Sequence, residues 1–360
     1  MTSDLFDFLT VGSYNLRNRI IMAPMTRSRA DDNGIQPEIA VTYYTQRSSA
    51  GLIISEATNV SAMAKGYPRT PGLYTPDQIA AWQPVTDSVH AQGGLIFAQL
   101  FHTGRVALPD FLPDHVQPVA PSAIAIDGEN YTDEGMKRFV VPRALEVAEI
   151  ASVVQEFAEA TRNALSAGFD GVELHGASGY LVHQFLSPVS NQRTDDYGGS
   201  VENRVRFLLE VIDAMVSVAG SERVGIKLSP QMPFNGNEEP DAEEVYVYIL
   251  HALANRHLAY IHVADHINAG WHAKLRPLSV SPFFAGANFN KDTGRELLKN
   301  NGADAIVYGS LFVANPDLVT RFEQDAELNV PDASTFYVPG PKGYTDYPTL
   351  ADLQEAQYSR

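Results

Sequence analysis

Short apolar runs alternate with longer amphipathic stretches along almost the whole chain. The runs are Arg19–Ala23, Leu52–Ala57, Leu95–Leu100, Phe169–His175, Val224–Ser229, Leu258–Val263, Pro282–Gly286 and Ala305–Gly309, which predicts eight strands. Helical periodicity fills 37–50, 76–91, 145–167, 201–218, 242–254 and 291–300, with a further segment from Pro316. In the longest, Ile150, Val153, Val154, Phe157 and Leu165 share a stripe with alanines, whereas Glu146, Glu149, Glu156 and Glu159 suit a wet face. Pro37, Pro76 and Pro316 stand where helices begin. Repeated strand and helix units imply a parallel sheet, and eight of them imply closure into an α/β fold of the (β/α)8 TIM barrel type. A doubly wound sheet is the alternative, disfavoured because no GxGxxG follows the first strand.

Three stretches interrupt this rhythm. Residues 5–18, LFDFLTVGSYNLRN, read as an N-terminal β-hairpin turning at Gly12-Ser13. The connection 102–143, rich in proline, aspartate and glycine, is too long for a plain loop and reads as a lid or subdomain inserted after strand three. The tail from Asp332 to Pro348 reads as packing back over the barrel, so that 1–360 form one domain.

Composition narrows the partners. The chain has 360 residues, of which 44% are hydrophobic and 19% charged, ordinary for a globular protein with a large core. Its formal net charge of -17 repels nucleic acid and anionic membranes, so an anionic ligand needs a local positive pocket. Without cysteine there is no disulfide, thiolate catalysis or thiolate metal site, and no histidine or acid near His175 has ligand spacing, so no metal is expected. MTSDLFDFLT carries acids where a signal peptide has lysine or arginine, and no apolar run is long enough to span a membrane. A cytoplasmic protein, monomeric or homodimeric, is the expectation.

In a closed barrel the inward positions near the strand C-termini share one cavity, and these include Ala57, Gln99, His175 and Lys227. A lysine among inward positions must find an anion. Glu173 could supply it; a negatively charged ligand is the other reading. Loops after strands seven and eight commonly cradle phosphate with backbone N–H groups, and here they carry Gly286-Ala287-Asn288 and Gly309-Ser310.

The motif HGASGYL at 175–181, followed by QFLSPVSNQRTDDYGGSVENRVRF at 184–207, resembles the old yellow enzyme family, and the agreement runs from about Leu5 to Pro348. The resemblance implies flavin mononucleotide (FMN) as cofactor and NADPH or NADH as reductant. It implies reduction of activated C=C bonds of α,β-unsaturated carbonyls, with nitro compounds or nitrate esters as further acceptors. On this footing Pro24, Met25 and Thr26 lie along the flavin, Ala57 and Gln99 contact its ring, and Lys227 faces the pyrimidine edge. His175 and Ser178 hold the substrate carbonyl and Tyr180 supplies a proton to the α-carbon, while Tyr67, Phe101 and Tyr344 match aromatic positions of the pocket. Three polar positions depart from the family pattern. Ser178 stands for an asparagine or histidine, Lys227 for an arginine, and Ser310 for the arginine that pairs with the FMN phosphate. These departures predict weaker FMN binding and slower turnover of simple enones. They also keep alternatives in view: a flavin- or ligand-binding barrel with little turnover, or a flavin-free lyase using Lys227 as a Schiff base.

Overall fold

The computed structural model describes residues 3–358. Met1, Thr2, Ser359 and Arg360, which the single-domain expectation includes, lie outside the described residues. A hairpin of β1 (Leu9–Val11) and β2 (Tyr14–Leu16) opens the chain, in the register Val11 to Tyr14 across Gly12-Ser13. Barrel strand β3 (Ile20–Met22) follows, then helix α1 (Ile39–Gln46), β4 (Leu52–Ile54), the short β5 (Thr58–Asn59), α2 (Pro76–Ala91) and β6 (Ile96–Phe101). The excursion after β6 holds β7 (Val119–Ala120), the antiparallel pair β8 (Glu129–Thr132) and β9 (Gly135–Arg138), and β10 (Arg143–Ala144), which returns to pair with β7. The barrel resumes with α3 (Val147–Ser166), β11 (Gly171–Gly176), α4 (Leu181–Leu186), α5 (Val201–Ala219) and β12 (Val224–Leu228). Next come α6 (Ala242–Leu253), β13 (Tyr260–Ala264), α7 (Trp271–Leu275), β14 (Phe283–Gly286) and α8 (Lys291–Lys299). The chain ends through β15 (Ala305–Tyr308), α9 (Ser310–Ala314), α10 (Leu318–Glu323) and α11 (Leu350–Tyr358).

All barrel pairings are parallel, in the order β11-β12-β13-β14-β15-β3-β4-β6, and β6 pairs back onto β11 to close the cylinder. Each of the eight apolar runs therefore became a barrel strand, within two residues of the expected bounds except for Leu52–Ala57, whose strand ends three residues early at Ile54. The helix over 76–91 starts at Pro76, with Thr75 and Gln78 forming a reciprocal cap. Helices α4, α7 and α9 have no counterpart among the expected elements, being only five or six residues long. Glu156 departs from the wet face: burial raises its carboxyl above the ordinary value, and one oxygen has no hydrogen-bond partner.

Side chains of alternate strands fill the barrel in layers. At the N-terminal end Phe97, Tyr260 and Phe284 pack together, Tyr260 and Phe284 stacked at 4.3 Å, and Tyr14 of the hairpin closes on Phe97 from below. Two glycines make room for these rings: a Cβ at Gly171 would lie 2.5 Å from the Phe97 ring, and one at Gly225 2.4 Å from Tyr260. The next layer up is polar. Glu173 accepts from Gln99 Nε2 at 2.6 Å and bonds His262 Nδ1 at 3.1 Å, all three buried. This layer is the floor of the mouth. Among the described residues, no helix is long and apolar enough to cross a membrane.

Candidate active site

A cavity of about 690 Å³ opens at the C-terminal ends of the strands. That is within the usual range for a small-molecule or cofactor pocket. Its wall includes Pro24, Met25, Thr26, Ala57, Tyr67, Gln99, His175, Ser178, Tyr180 and Lys227, together with Gly286, Ala287, Asn288, Gly309 and Ser310. Two residues expected on the wall stand behind it. Phe101 is fully buried, with its ring at 6.1 Å from His175 and edge-on to Tyr180 at 5.4 Å, so it backs the two side chains. Tyr344 is also buried, stacked on Tyr43 at 4.0 Å and flanked by Arg27 and Arg29, and the wall there belongs to Phe336 and Tyr337 instead.

The turn after β11 carries His175, Ser178 and Tyr180. His175 Nδ1 accepts from Ala177 N–H at 3.3 Å, which places the ring proton on Nε2, the donor edge left for the cavity. Burial, then the positive charge of Lys227, hold His175 well below the ordinary imidazole value, so it is neutral. Ser178 sits at φ 58° and Gly179 at φ 72°, a left-handed pair that turns the chain back over the mouth. The turn is held from several sides. Ser178 N–H donates to Ser229 Oγ at 2.9 Å, Asn235 Nδ2 donates to Ser178 O at 2.9 Å, and Gly179 N–H donates to His183 Nδ1 at 2.9 Å. His183 in turn meets Glu239 at 2.9 Å in a fully buried pair, and Tyr246 Oη donates to the same carboxylate at 2.8 Å. Burial pushes the Glu239 carboxyl up, but His183, Tyr246 and the Gln231 N–H outweigh it and hold the carboxyl below its ordinary value. The hydroxyl of Ser178 meets only the Met232 thioether, at 3.7 Å, a weak acceptor that leaves its proton available.

Tyr180 stands edge-on to His175 at 4.8 Å, and its hydroxyl lies 3.1 Å from Tyr67 Oη. Burial raises Tyr180 well above the ordinary phenol value, and the neighbouring Tyr67 adds to it, so the phenol keeps its proton at neutral pH.

Below the mouth, Lys227 makes no hydrogen bond or ion pair among the described residues. Glu173 is engaged by Gln99 and His262, and Lys227, which burial holds below its ordinary value, is left for a ligand. Because Gln99 Nε2 donates to Glu173, its carbonyl oxygen is the group left to face the cavity. The far end of the cavity is lined by Gly286, Ala287 at φ 78°, Asn288 at φ 59°, Gly309 and Ser310.

Sequence reasoning missed several wall residues. His262 follows Tyr260 by two and so shares its inward parity; that signal was available. Tyr131 comes from β8 of the excursion, Met232 and Phe234 from the loop after β12, and Phe336 and Tyr337 from the tail. None of these has a periodic signal. The tail is fastened by Arg27, which donates to Gly343 O at 2.7 Å, and Arg29, which donates to Phe336 O at 2.7 Å and Thr335 O at 3.0 Å.

The buried imidazoles predict acid sensitivity. Burial holds His102 down to about 3 and His175 and His262 below the ordinary 6.5, so below pH 6.5 the unfolded chain takes up protons that the folded chain refuses. Stability is therefore full above pH 6.5 and falls as pH drops below it. Each histidine that the fold keeps neutral removes up to about 1.4 kcal/mol per pH unit between its unfolded and its folded value. Glu56 and Glu156, raised by burial, act in the opposite sense between their ordinary 4.5 and their raised folded values, where the folded chain takes up the proton first, and so offset part of this loss above pH 4.5. Urea unfolding is expected to show a clearly lower midpoint at pH 5 than at pH 7.5; equal midpoints would refute the assignment.

A cylinder closed by eight parallel strands, with a free cation and an amide oxygen below the mouth and paired donors beside a phenol, defines an oxidoreductase of the flavin-barrel class. The chain belongs to the NADH:flavin oxidoreductase / NADH oxidase family, which matches residues 4–329, and within it to the old yellow enzymes. It is 43% identical over 358 residues to 12-oxophytodienoate reductase 1 of Oryza sativa subsp. japonica, covering 96% of this chain and 93% of the relative. It is also 43% identical over 351 residues to a probable flavin mononucleotide-dependent alkene reductase of Leishmania infantum, covering 95% and 96%. Among solved structures, morphinone reductase superposes with a TM-score of 0.94 at 43% identity, covering 98% of each chain. The old yellow enzyme homologue from Zymomonas mobilis gives 0.94 at 39%, covering 97% and 100%.

Proposed function

We propose that the chain is an FMN-dependent NAD(P)H oxidoreductase that reduces the C=C bond of α,β-unsaturated carbonyl compounds, with Tyr180, His175 and Ser178 in the reacting positions. The observation that carries this reading is the single turn that brings a neutral imidazole N–H, a free hydroxyl and a protonated phenol to one cavity. The residues fit a flavin: Gln99 offers an acceptor, Lys227 an unpaired cation, and the 286–288 and 309–310 loops backbone donors for a phosphate. FMN, when bound, relays two electrons from the nicotinamide to the alkene.

The chain's own residues do the rest. His175 and Ser178 bind the carbonyl oxygen and stabilise the negative charge that grows on it. Tyr180 holds a proton for the carbon alpha to that carbonyl, and Tyr67, at 3.1 Å, is placed to replenish it. Phe101 keeps both rings in place from behind. Nitro compounds and nitrate esters present oxygens of the same accepting kind to the same pair of donors, and we include them among the acceptors. The 102–143 excursion, by way of Tyr131, acts as a lid on one side of the mouth.

The visible spectrum of the purified protein tests the reading. A yellow protein that NADPH bleaches anaerobically and cyclohexenone restores is the expected result; a colourless one that FMN cannot reconstitute refutes it. A yellow protein that NADPH leaves unbleached would favour a flavin binder with little turnover.

Position 178 supplies a further expectation. At φ 58° asparagine is more at ease than serine, and its amide reaches further into the cavity. Ser178→Asn is expected to raise kcat/KM for cyclohexenone by about tenfold without loss of stability. Unchanged kinetics would remove Ser178 from the carbonyl clamp.

A further inference from the structure

We propose that His266 is the side-chain partner of the cofactor phosphate in this chain, supplying from the loop after β13 the interaction that position 310 lacks. The proposal rests on the flavin reading above. A phosphate monoester entering a protein of net charge -17 needs a cationic or strongly donating side chain beside the backbone donors. Five side chains that can carry positive charge line the cavity: Arg27, His175, Lys227, His262 and His266. Three are held elsewhere, and the unpaired fourth, Lys227, lies below the mouth. Arg27 spends its guanidinium on Tyr43 Oη, Phe336 O and Gly343 O, which leaves it fastening the tail. His262 is bound to Glu173 in the floor. His175 belongs to the reactive turn, and Lys227 lies on β12 in register with both His175 and His262.

Of the five, His266 is the one carried on the loop beside the 286–288 turn. Its side chain makes no hydrogen bond or ion pair among the described residues, and it is exposed at the cavity edge. Its backbone carbonyl accepts from Asn288 Nδ2 at 3.3 Å, which ties its loop directly to the 286–288 turn, where Ala287 and Asn288 are successive left-handed residues. Ser310, on the neighbouring loop, offers only a hydroxyl and its N–H. The ionisable groups facing His266 are Lys227 on β12, His262 on its own strand and the adjacent Asp265. Asp265 points away, both its oxygens accepting N–H groups at 3.0 Å, from Ala269 and Trp271. His272 is turned to Val263 O at 3.0 Å. Although His266 is exposed overall, partial desolvation of its ring at the cavity edge, then the charges of Lys227 and His262, hold it down to about 4, so it is a neutral N–H donor; a phosphate dianion beside it acts in the opposite sense and favours the charged form.

The test compares FMN with riboflavin, which lacks the phosphate. Dissociation constants for both are read from flavin fluorescence during release from and rebinding to the full-length protein. For His266→Ala the FMN constant is expected to rise about tenfold with riboflavin unchanged, the loss of one charge-assisted hydrogen bond. The phosphorus resonance of bound FMN should shift in the same variant. Adding Ser310→Arg to His266→Ala should restore FMN binding without affecting riboflavin. An FMN constant unchanged by His266→Ala, or a parallel weakening of both flavins, would overturn the proposal while leaving the flavin reading intact. Failure of the unaltered protein to bind either flavin would overturn both.

Discussion

Replacing Tyr180 with phenylalanine is expected to slow reoxidation of the reduced enzyme by cyclohexenone by roughly 10²- to 10⁴-fold, while reduction by NADPH stays at the unaltered rate. The split follows from the placement of the phenol. Tyr180 is edge-on to His175 at 4.8 Å and to Phe101 at 5.4 Å, contacts that phenylalanine retains, so the ring stays and only the hydroxyl goes. Its proton is held firmly, because burial raises the phenol well above its ordinary value. Such an acid is useless towards a weak base and effective towards an enolate carbon. Only the half-reaction that ends on that carbon should suffer. Stopped-flow traces of the two half-reactions separate the outcomes, and equal slowing of both would show that Tyr180 positions the cofactor rather than delivering a proton. Tyr67→Phe, which leaves the phenol of Tyr180 but removes its 3.1 Å neighbour, should have a much smaller effect.

Replacing His175 with alanine is expected to lower kcat/KM for the same enone by roughly 10²- to 10³-fold, the usual effect of losing one oxyanion donor. The loss should exceed that range only if Ser178 cannot compensate, and its hydroxyl, resting against the Met232 sulfur at 3.7 Å, has no stronger competitor for its proton among the described residues. Because His175 is held neutral by burial, activity should not show an imidazole titration between pH 6 and 8. His175→Asn, which keeps an N–H donor on a shorter side chain, should recover part of the loss. If alanine and asparagine behave alike, His175 serves as packing for Tyr180 and Phe101, and the carbonyl is bound elsewhere.

Much of this site was legible from the order of residues along the chain. Strand parity alone placed Ala57, Gln99, His175 and Lys227 on one cavity, because a period of two leaves no freedom about which face a strand residue occupies once its neighbours are apolar. The loops at 286–288 and 309–310 were legible for a related reason, since a barrel puts every βα loop at the same end. Phe101 and Tyr344 went astray where that logic ends. Phe101 is the last residue of β6, and there the strand's twist decides whether a ring faces the mouth or backs its neighbours. Tyr344 lies in a tail with no period at all, and two buried arginines dictate which of its rings reach the cavity.

What the sequence settled by itself was the barrel, and the meeting of His175, Ser178 and Tyr180 at the cavity on the C-terminal ends of its strands, because these follow from periodicity and from contiguous motif residues. Tertiary structure alone decided the rest. It gave Glu173 to Gln99 and His262 and so left Lys227 unpaired, and it brought the rim together from the excursion, the loop after β12 and the tail. Partner choice among buried charges depends on distances between strands far apart in the chain, and no local pattern encodes those distances.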